Sequence, residues 1–136
     1  MRKLLLFVVL VALFAVGGAA QASAAPADVH VNIGPKAPLT GNFFISVPVA
    51  VTCPPTFRGF VNVSVSEAPL GGTSVGNTGV VCTGRAVTQS VTTFLQTGPL
   101  VLGRAQVEAT VFEFPENGIG DLTVAGDASR QVSVVI

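Results

Sequence analysis

The chain has 136 residues, of which 49% are hydrophobic and only 10% charged, and its 7 basic and 7 acidic side chains leave no formal net charge. That balance excludes the electrostatic footprint of a protein that binds nucleic acid or anionic lipid. With 1 histidine, 2 cysteines, no tryptophan and no tyrosine, it also excludes a four-ligand His/Cys zinc site and the indole or phenol platforms that sugar-binding sandwiches offer.

The first element in chain order is an export signal. Arg2 and Lys3 form a positive start, and residues 4–16 follow without a polar side chain. That run is too short to cross a ~30 Å hydrocarbon core, which takes ~20 residues, but it suits the apolar region of a signal peptide. Gly17 and Gly18 end it. Ala22-Ser23-Ala24 satisfies the A-x-A rule and predicts cleavage after Ala24, with Ala20-Gln21-Ala22 a second candidate. Residues 1–24 are thus expected to be a signal peptide and 25–136 a single secreted, extracellular domain. No cysteine directly follows the apolar run and no sorting motif ends the chain, so the mature protein is expected to be released rather than inserted in a membrane. Losing Arg2 and Lys3 takes Lys+Arg from 7 to 5 against 7 acidic groups, a mature charge of 5 − 7 = −2.

The remainder reads as short strands. Val29, Val31 and Ile33 alternate with His30 and Asn32 before Gly34-Pro35. After Thr40-Gly41-Asn42, Ile45, Val47, Val49, Val51 and Cys53 share one face, with Ser46, Pro48, Ala50 and Thr52 on the other. Pro48 cannot donate to a ladder and predicts a bulge or a locally unpaired position. Cys53-Pro54-Pro55-Thr56 turns the chain, and Val61, Val63 and Val65 point inward. Residues 69–79 read as a glycine-rich loop, followed by a short strand at Val80, Val81 and Cys82. A Thr/Ser-rich strand follows over 85–95, marked by Val87, Val91 and Leu95. Ala105, Val107, Ala109 and Val111 then alternate with Gln106, Glu108 and Thr110, residues 115–120 form a loop, and Val132, Val134 and Ile136 close the chain.

About seven strands at this spacing, with no helical stretch, predict an all-β, two-sheet antiparallel sandwich; a small closed barrel is the runner-up. Cys53 and Cys82 are the only cysteines of an exported chain, and export leads to an oxidising compartment, so they are expected to form a disulfide.

Three stretches together carry a resemblance: the strand ending in Val51-Thr52-Cys53, the Gly79-Val80-Val81-Cys82-Thr83-Gly84 segment, and the Gly103-Arg104-Ala105-Gln106-Val107-Glu108-Ala109-Thr110-Val111 strand. They resemble a family of small secreted immunoglobulin-like β-sandwich proteins of high-GC Gram-positive bacteria, whose members carry a signal peptide, one cysteine pair and a Gly-x-Ala-x-Val-x-Ala strand. The resemblance spans residues 29–136 and implies an immunoglobulin-like sandwich and an extracellular location, with no activity attached. The secreted enediyne-chromophore apoproteins are similar in size and architecture, but they have two disulfides and an aromatic-lined cleft.

The candidate chemistry is thin. Gly72-Thr73-Ser74-Val75-Gly76 matches the G-x-S-x-G nucleophile elbow, yet no helix follows it, and His30 precedes the serine instead of following an acid. A loop serine is the expected reading. His30 lies between inward valines and is expected on the outer face. Glu113, Glu116 and Asp121 flank a turn that could offer oxygens to Ca²⁺, but the spacing matches no calcium loop. Glu108 and Glu113 have opposite parity on one strand, unlike a glycosidase pair facing one cleft. Phe57 and Phe60, flanking Arg58-Gly59, are the expected exposed contact patch. Asn62-Val63-Ser64 fits a glycosylation acceptor but lies in a strand with inward valines. No catalytic residue, metal or cofactor is implied. The expected function is a non-enzymatic secreted module that binds a protein or a component of the cell envelope or medium. A small hydrolase or enzyme inhibitor acting through loops, or a small-molecule carrier, is the alternative.

Overall fold

Alternating β-branched and small polar residues, punctuated by glycine and proline, leave extended backbone as the favoured regular conformation. The computed structural model describes residues 29–136, which contain eight strands and no helix. These are β1 (His30–Ile33), β2 (Lys36–Thr40), β3 (Phe44–Thr52), β4 (Gly59–Ser66), β5 (Thr73–Gly79), β6 (Ala86–Thr97), β7 (Gly103–Glu113) and β8 (Thr123–Val135). The expected signal peptide and both candidate cleavage sites lie outside the described residues.

Seven of these strands close into a ring. Its order is β2, β3, β6, β5, β4, β7, β8 and back to β2. β1 lies on the same edge of β3 as β2 and pairs with its second half, from His30↔Thr52 to Ile33↔Val49. This closed barrel corrects the expected immunoglobulin-like antiparallel sandwich. The ring is not split into two open sheets, and one of its pairs, β2 with β8, is parallel.

The correction has a physical cause in two segments. The first is β2, a strand that Pro35 and Pro38 disguise. Its Leu39 and Thr40 pair with Ile45 and Phe44 of β3, while Lys36, Ala37 and Pro38 pair with Ser133, Val134 and Val135 of β8. One short strand thereby bridges two neighbours that would otherwise stand apart. The second is β5, whose glycines imitate a loop. A Cβ on Gly76 would collide with the Thr92 carbonyl, and one on Gly72 with that of Thr97. Glycine here lets β5 run against β6 and complete the ring. The expected strand at Val80, Val81 and Cys82 is irregular instead. Gln89 compensates: its Oε1 accepts from the Val81 N–H (3.1 Å) and its Nε2 donates to the Gly79 carbonyl (3.0 Å).

Strand parity is as expected. Ile45, Val47, Val49, Val51, Cys53, Val61, Val63, Val65, Ala105, Val107, Ala109, Val111, Val132 and Val134 are all buried. Alternating alanine and valine on β7 suits the narrow interior of a small barrel. Ile136 is exposed, so the inward pattern of β8 ends at Val134. Pro48 causes no bulge: it stays in register with Ser90 of β6. Its carbonyl accepts from the Gly34 N–H (2.8 Å), and its missing donor faces the step between β1 and β2, where no partner waits.

The Cys53–Cys82 disulfide is present, with Cα atoms 4.9 Å apart and a sequence separation of 29. It ties the end of β3 to the irregular segment before β6, where the Gly84 N–H also donates to the Cys53 carbonyl (2.8 Å).

Two outcomes follow from closure and from the staple. Gly76→Ala should drastically lower the melting temperature or prevent accumulation. Gly79→Ala, whose Cβ would meet nothing within 4 Å, should shift stability by less than about 1 kcal/mol. Thermal melts that show equal effects would contradict the close β5–β6 approach. Replacing both cysteines by alanine should remove roughly 3–4 kcal/mol on the chain-entropy account of a loop this long, measured by urea unfolding of oxidised wild type beside the variant.

Candidate functional site

The G-x-S-x-G serine lies in the interior of the barrel. Ser74 lies on β5, not in a loop, and is fully buried. Its Oγ is 2.7 Å from Thr93 Oγ1, and Thr93 Oγ1 donates to the Ile45 carbonyl (2.8 Å). The Thr93 proton is thus committed to Ile45, so Ser74 must be the donor in the Ser74–Thr93 contact. The hydroxyl satisfies a buried strand pair and is neither exposed nor beside a base. His30 is exposed on the outer side of β1, as its parity predicts, and pairs across to Thr52. Glu108 is exposed on the outer face of β7, opposite Ser64 of β4 and Ser129 of β8. Asn62 is half-buried on the outer side of β4, opposite Asn77 and Thr110. Among the described residues no three His, Cys, Asp or Glu side chains gather as a metal-binding group.

The distinctive surface is aromatic and lies at one end of the β4–β7–β8 face. Phe60 of β4 pairs with Phe112 of β7, and Phe112 with Val124 of β8. The Phe60 and Phe112 rings stack at 5.3 Å, and Phe114 leans on Phe60 at 5.6 Å. One step further along, the Phe114 N–H donates to the Arg58 carbonyl (3.0 Å), so Arg58 flanks the same cluster. Phe114 and Val124 are 48% and 57% exposed. Mutual stacking of the rings offsets little of the cost of wetting such a surface.

Beside the cluster, a cleft of about 300 Å³ is lined by Thr56, Phe57, Arg58, Glu113, Phe114, Pro115 and Glu116. The structure therefore brings together most of the separate sequence candidates: Phe57, Phe60, Glu113 and Glu116 meet at one end of the barrel. Phe57, Phe60 and Phe112 are all half-buried, Phe57 against the core and in the wall of the cleft, and of these rings only Phe114 is exposed. Phe112 and Phe114 were legible from their shared parity with Phe60 once β4 and β7 are paired. Asp121 is exposed and is not among the cleft's lining residues. The chemistry on offer is apolar contact, ring stacking, one guanidinium and two carboxylates.

A second outward pair, Phe44 of β3 and Phe94 of β6, packs edge-to-face at 5.2 Å and borders Val75 of β5. It has no ionisable residue beside it in the facing register positions.

One buried ionisable group escaped the sequence reading. Glu67 continues the inward series Val61, Val63, Val65 by one more step and is only 3% exposed. Its Oε1 accepts from the Val101 N–H (3.1 Å), while Oε2 is buried without a hydrogen-bond partner. Burial pushes its carboxyl above the ordinary value of 4.5, and the Val101 hydrogen bond only partly opposes that. Its backbone also organises the β4–β5 turn, where its N–H donates to the Gly72 carbonyl and its carbonyl accepts from the Gly71 N–H, both at 2.9 Å.

No family model matches this chain, and no curated protein matches it either.

The pH dependence of stability tests the Glu67 environment. With its folded value raised above the unfolded one, the folded state binds the proton more tightly. The Glu67 contribution is therefore complete below the ordinary carboxylate range and is lost as pH rises through the folded value. Urea unfolding from pH 4 to 7 should show wild-type stability falling relative to Glu67→Gln. Parallel profiles would contradict the burial account.

Proposed function

We propose that the protein is a secreted, non-enzymatic binding module that uses its barrel as a rigid support and makes contact through the Phe60–Phe112–Phe114 surface. Export is supported by the signal-like start of the sequence and by the disulfide, a bond that persists in oxidising compartments. A binding role is supported by where the apolar surface sits. Aromatic side chains on regular strands are held rigidly and lose little entropy when a partner covers them. A carrier role for the barrel itself finds no support, because valine and alanine side chains occupy its interior.

The observation that carries the reading is the pair of exposed side chains Phe114 and Val124 beside the stacked Phe60 and Phe112. Clusters of this kind on soluble domains mark interaction sites. Rings that lie over a strand rather than in it keep the backbone ladder intact, so partner binding needs no refolding. The adjoining Arg58, Glu113 and Glu116 provide directional polar contacts at its edge.

The test is retention of the tagged, processed protein by envelope and culture-medium fractions of its host, read by mass spectrometry. Phe114→Ser with Val124→Ser should abolish specific retention without lowering the melting temperature by more than a few degrees, since both side chains are half-exposed. Retention equal to wild type would contradict the assignment of this surface.

A further inference from the structure

We infer that residues 98–102, which join β6 to β7, form a hinged strap over one end of the barrel, latched by Glu67 while its carboxyl is protonated and released when it ionises.

The strap has the parts of a moving segment. Gly98 and Gly103 stand at its two ends with φ of 63° and 126°, a region that glycine enters without steric cost. Hinges are a few such positions that absorb the backbone change. Between them, Pro99, Leu100, Val101 and Leu102 belong to no strand. Among the described residues, two hydrogen bonds tie this segment to its surroundings. The Gly72 N–H donates to the Pro99 carbonyl (2.8 Å), and the Val101 N–H donates to Glu67 Oε1 (3.1 Å). Leu100 is the apolar anchor, only 5% exposed and part of the core, whereas Leu102 is exposed. Beside the strap lies a cleft of about 400 Å³, lined by Leu39, Asn42 and residues 100–102, so there is open space next to it.

The latch is the Glu67 carboxyl. A Cβ on Gly71 would meet Val101 Cγ2 at 3.0 Å and Glu67 Cβ at 2.6 Å, so the β4–β5 turn, the carboxyl and the strap pack as one unit. Within it, Glu67 Oε2 is buried without a hydrogen-bond partner. A neutral carboxyl in that place lacks one hydrogen bond; a carboxylate sets a full charge against a single N–H, and desolvating a charge costs far more. No neighbouring charge offsets it. β4, β5, β6 and the strap carry no charged side chain. Lys36 of β2, Arg104 and Glu108 of β7, and Asp127 and Arg130 of β8 are exposed, and Glu113 lies at the far end of β7. Burial therefore holds the carboxyl above its ordinary value of 4.5, against the opposing Val101 hydrogen bond.

An ionised Oε2 has one undemanding route to water. The strands around it are held by continuous ladders, β4 with β5 and β4 with β7, while the strap is held by two hydrogen bonds and one leucine. Lifting the strap hydrates the carboxylate, uncovers Leu100 and enlarges the cleft beside Leu39. The closed state binds the proton more tightly than the open one, where Glu67 is hydrated and titrates normally. Opening therefore grows by up to about tenfold per pH unit between the ordinary value and the closed-state value, and levels off above it.

Amide hydrogen exchange followed by nuclear magnetic resonance tests this, with each rate divided by its intrinsic rate at the same pH. At pH 7 the Val101 amide of wild type should be protected at least about a hundredfold less than the amides of the β3–β6 ladder, because local opening precedes global unfolding. Low urea should leave Val101 exchange unchanged and speed the ladder amides, since lifting the strap exposes little surface. Val101 protection should fall between pH 4 and 7 with a slope of up to about tenfold per unit, and Glu67→Gln, which stays neutral, should abolish that slope. Val101 exchange that matches the ladder amides in rate and urea dependence overturns the strap. A wild-type Val101 protection that is level with pH, or a slope that survives in Glu67→Gln, overturns the latch.

Discussion

Everything in this molecule depends on closing a sheet whose ladders are short at three joints, β2 with β3, β2 with β8 and β5 with β6. An open sheet of this length would expose two rows of unpaired backbone donors and acceptors and invite edge-to-edge association. Here the ring closes through two paired residues between β2 and β3, and its two halves join through three between β2 and β8 and three between β5 and β6. All three joints are short compared with the long ladders of β3 with β6 and β7 with β8. Where the ladders part, side chains take over. Gln89 satisfies backbone groups beyond the end of the β5–β6 pairing, and Arg130 Nη1 donates to the Ile33 carbonyl (2.8 Å) between β8 and β1. The disulfide adds a covalent tie near the same end of β3 and β6.

Closure has a functional consequence. A ring of seven strands is narrow, and its inward residues are mostly buried valine and alanine. The proposed contact surface accordingly lies on the outer side of the ring. There, the position of a residue on its strand decides whether it is polar or aromatic. Along β4 and β7 the outward residues run from Ser66 and Gln106 through Ser64, Glu108, Asn62 and Thr110 to Phe60 and Phe112. The outward aromatic residues of β4 and β7 are thus confined to one end, next to the cleft lined by Arg58, Glu113 and Glu116.

Much of this was legible in the amino-acid sequence because period-two alternation reports which side of a strand is buried. The inward sets of β3, β4 and β7 were readable residue by residue, and so were the outward position of His30 and the cysteine pair. Closure was not legible, for a specific reason: the segments that create it look least like strands. β2 carries Pro38, and β5 carries Gly76 where the β6 backbone comes too close for a side chain. A glycine that permits a close strand contact and a glycine that marks a loop are identical in sequence, and only the neighbouring strand separates them. The same blindness hid the contact surface, since Phe60 and Phe112 become neighbours only when β4 and β7 pair. Glu67 was recoverable from parity alone, because it extends the Val61, Val63, Val65 series into the interior.

The most direct test of closure is a set of cross-strand contacts measured by nuclear magnetic resonance at two of the short joints. A closed barrel gives backbone proton–proton contacts between Val75 and Phe94, joining β5 to β6, and between Ala37 and Val134, joining β2 to β8. These should be as clear as the contacts between Val47 and Val91 in the long β3–β6 ladder. Strong β3–β6 contacts without either joint would mean two open sheets and would contradict the closed barrel on which the outward placement of function depends.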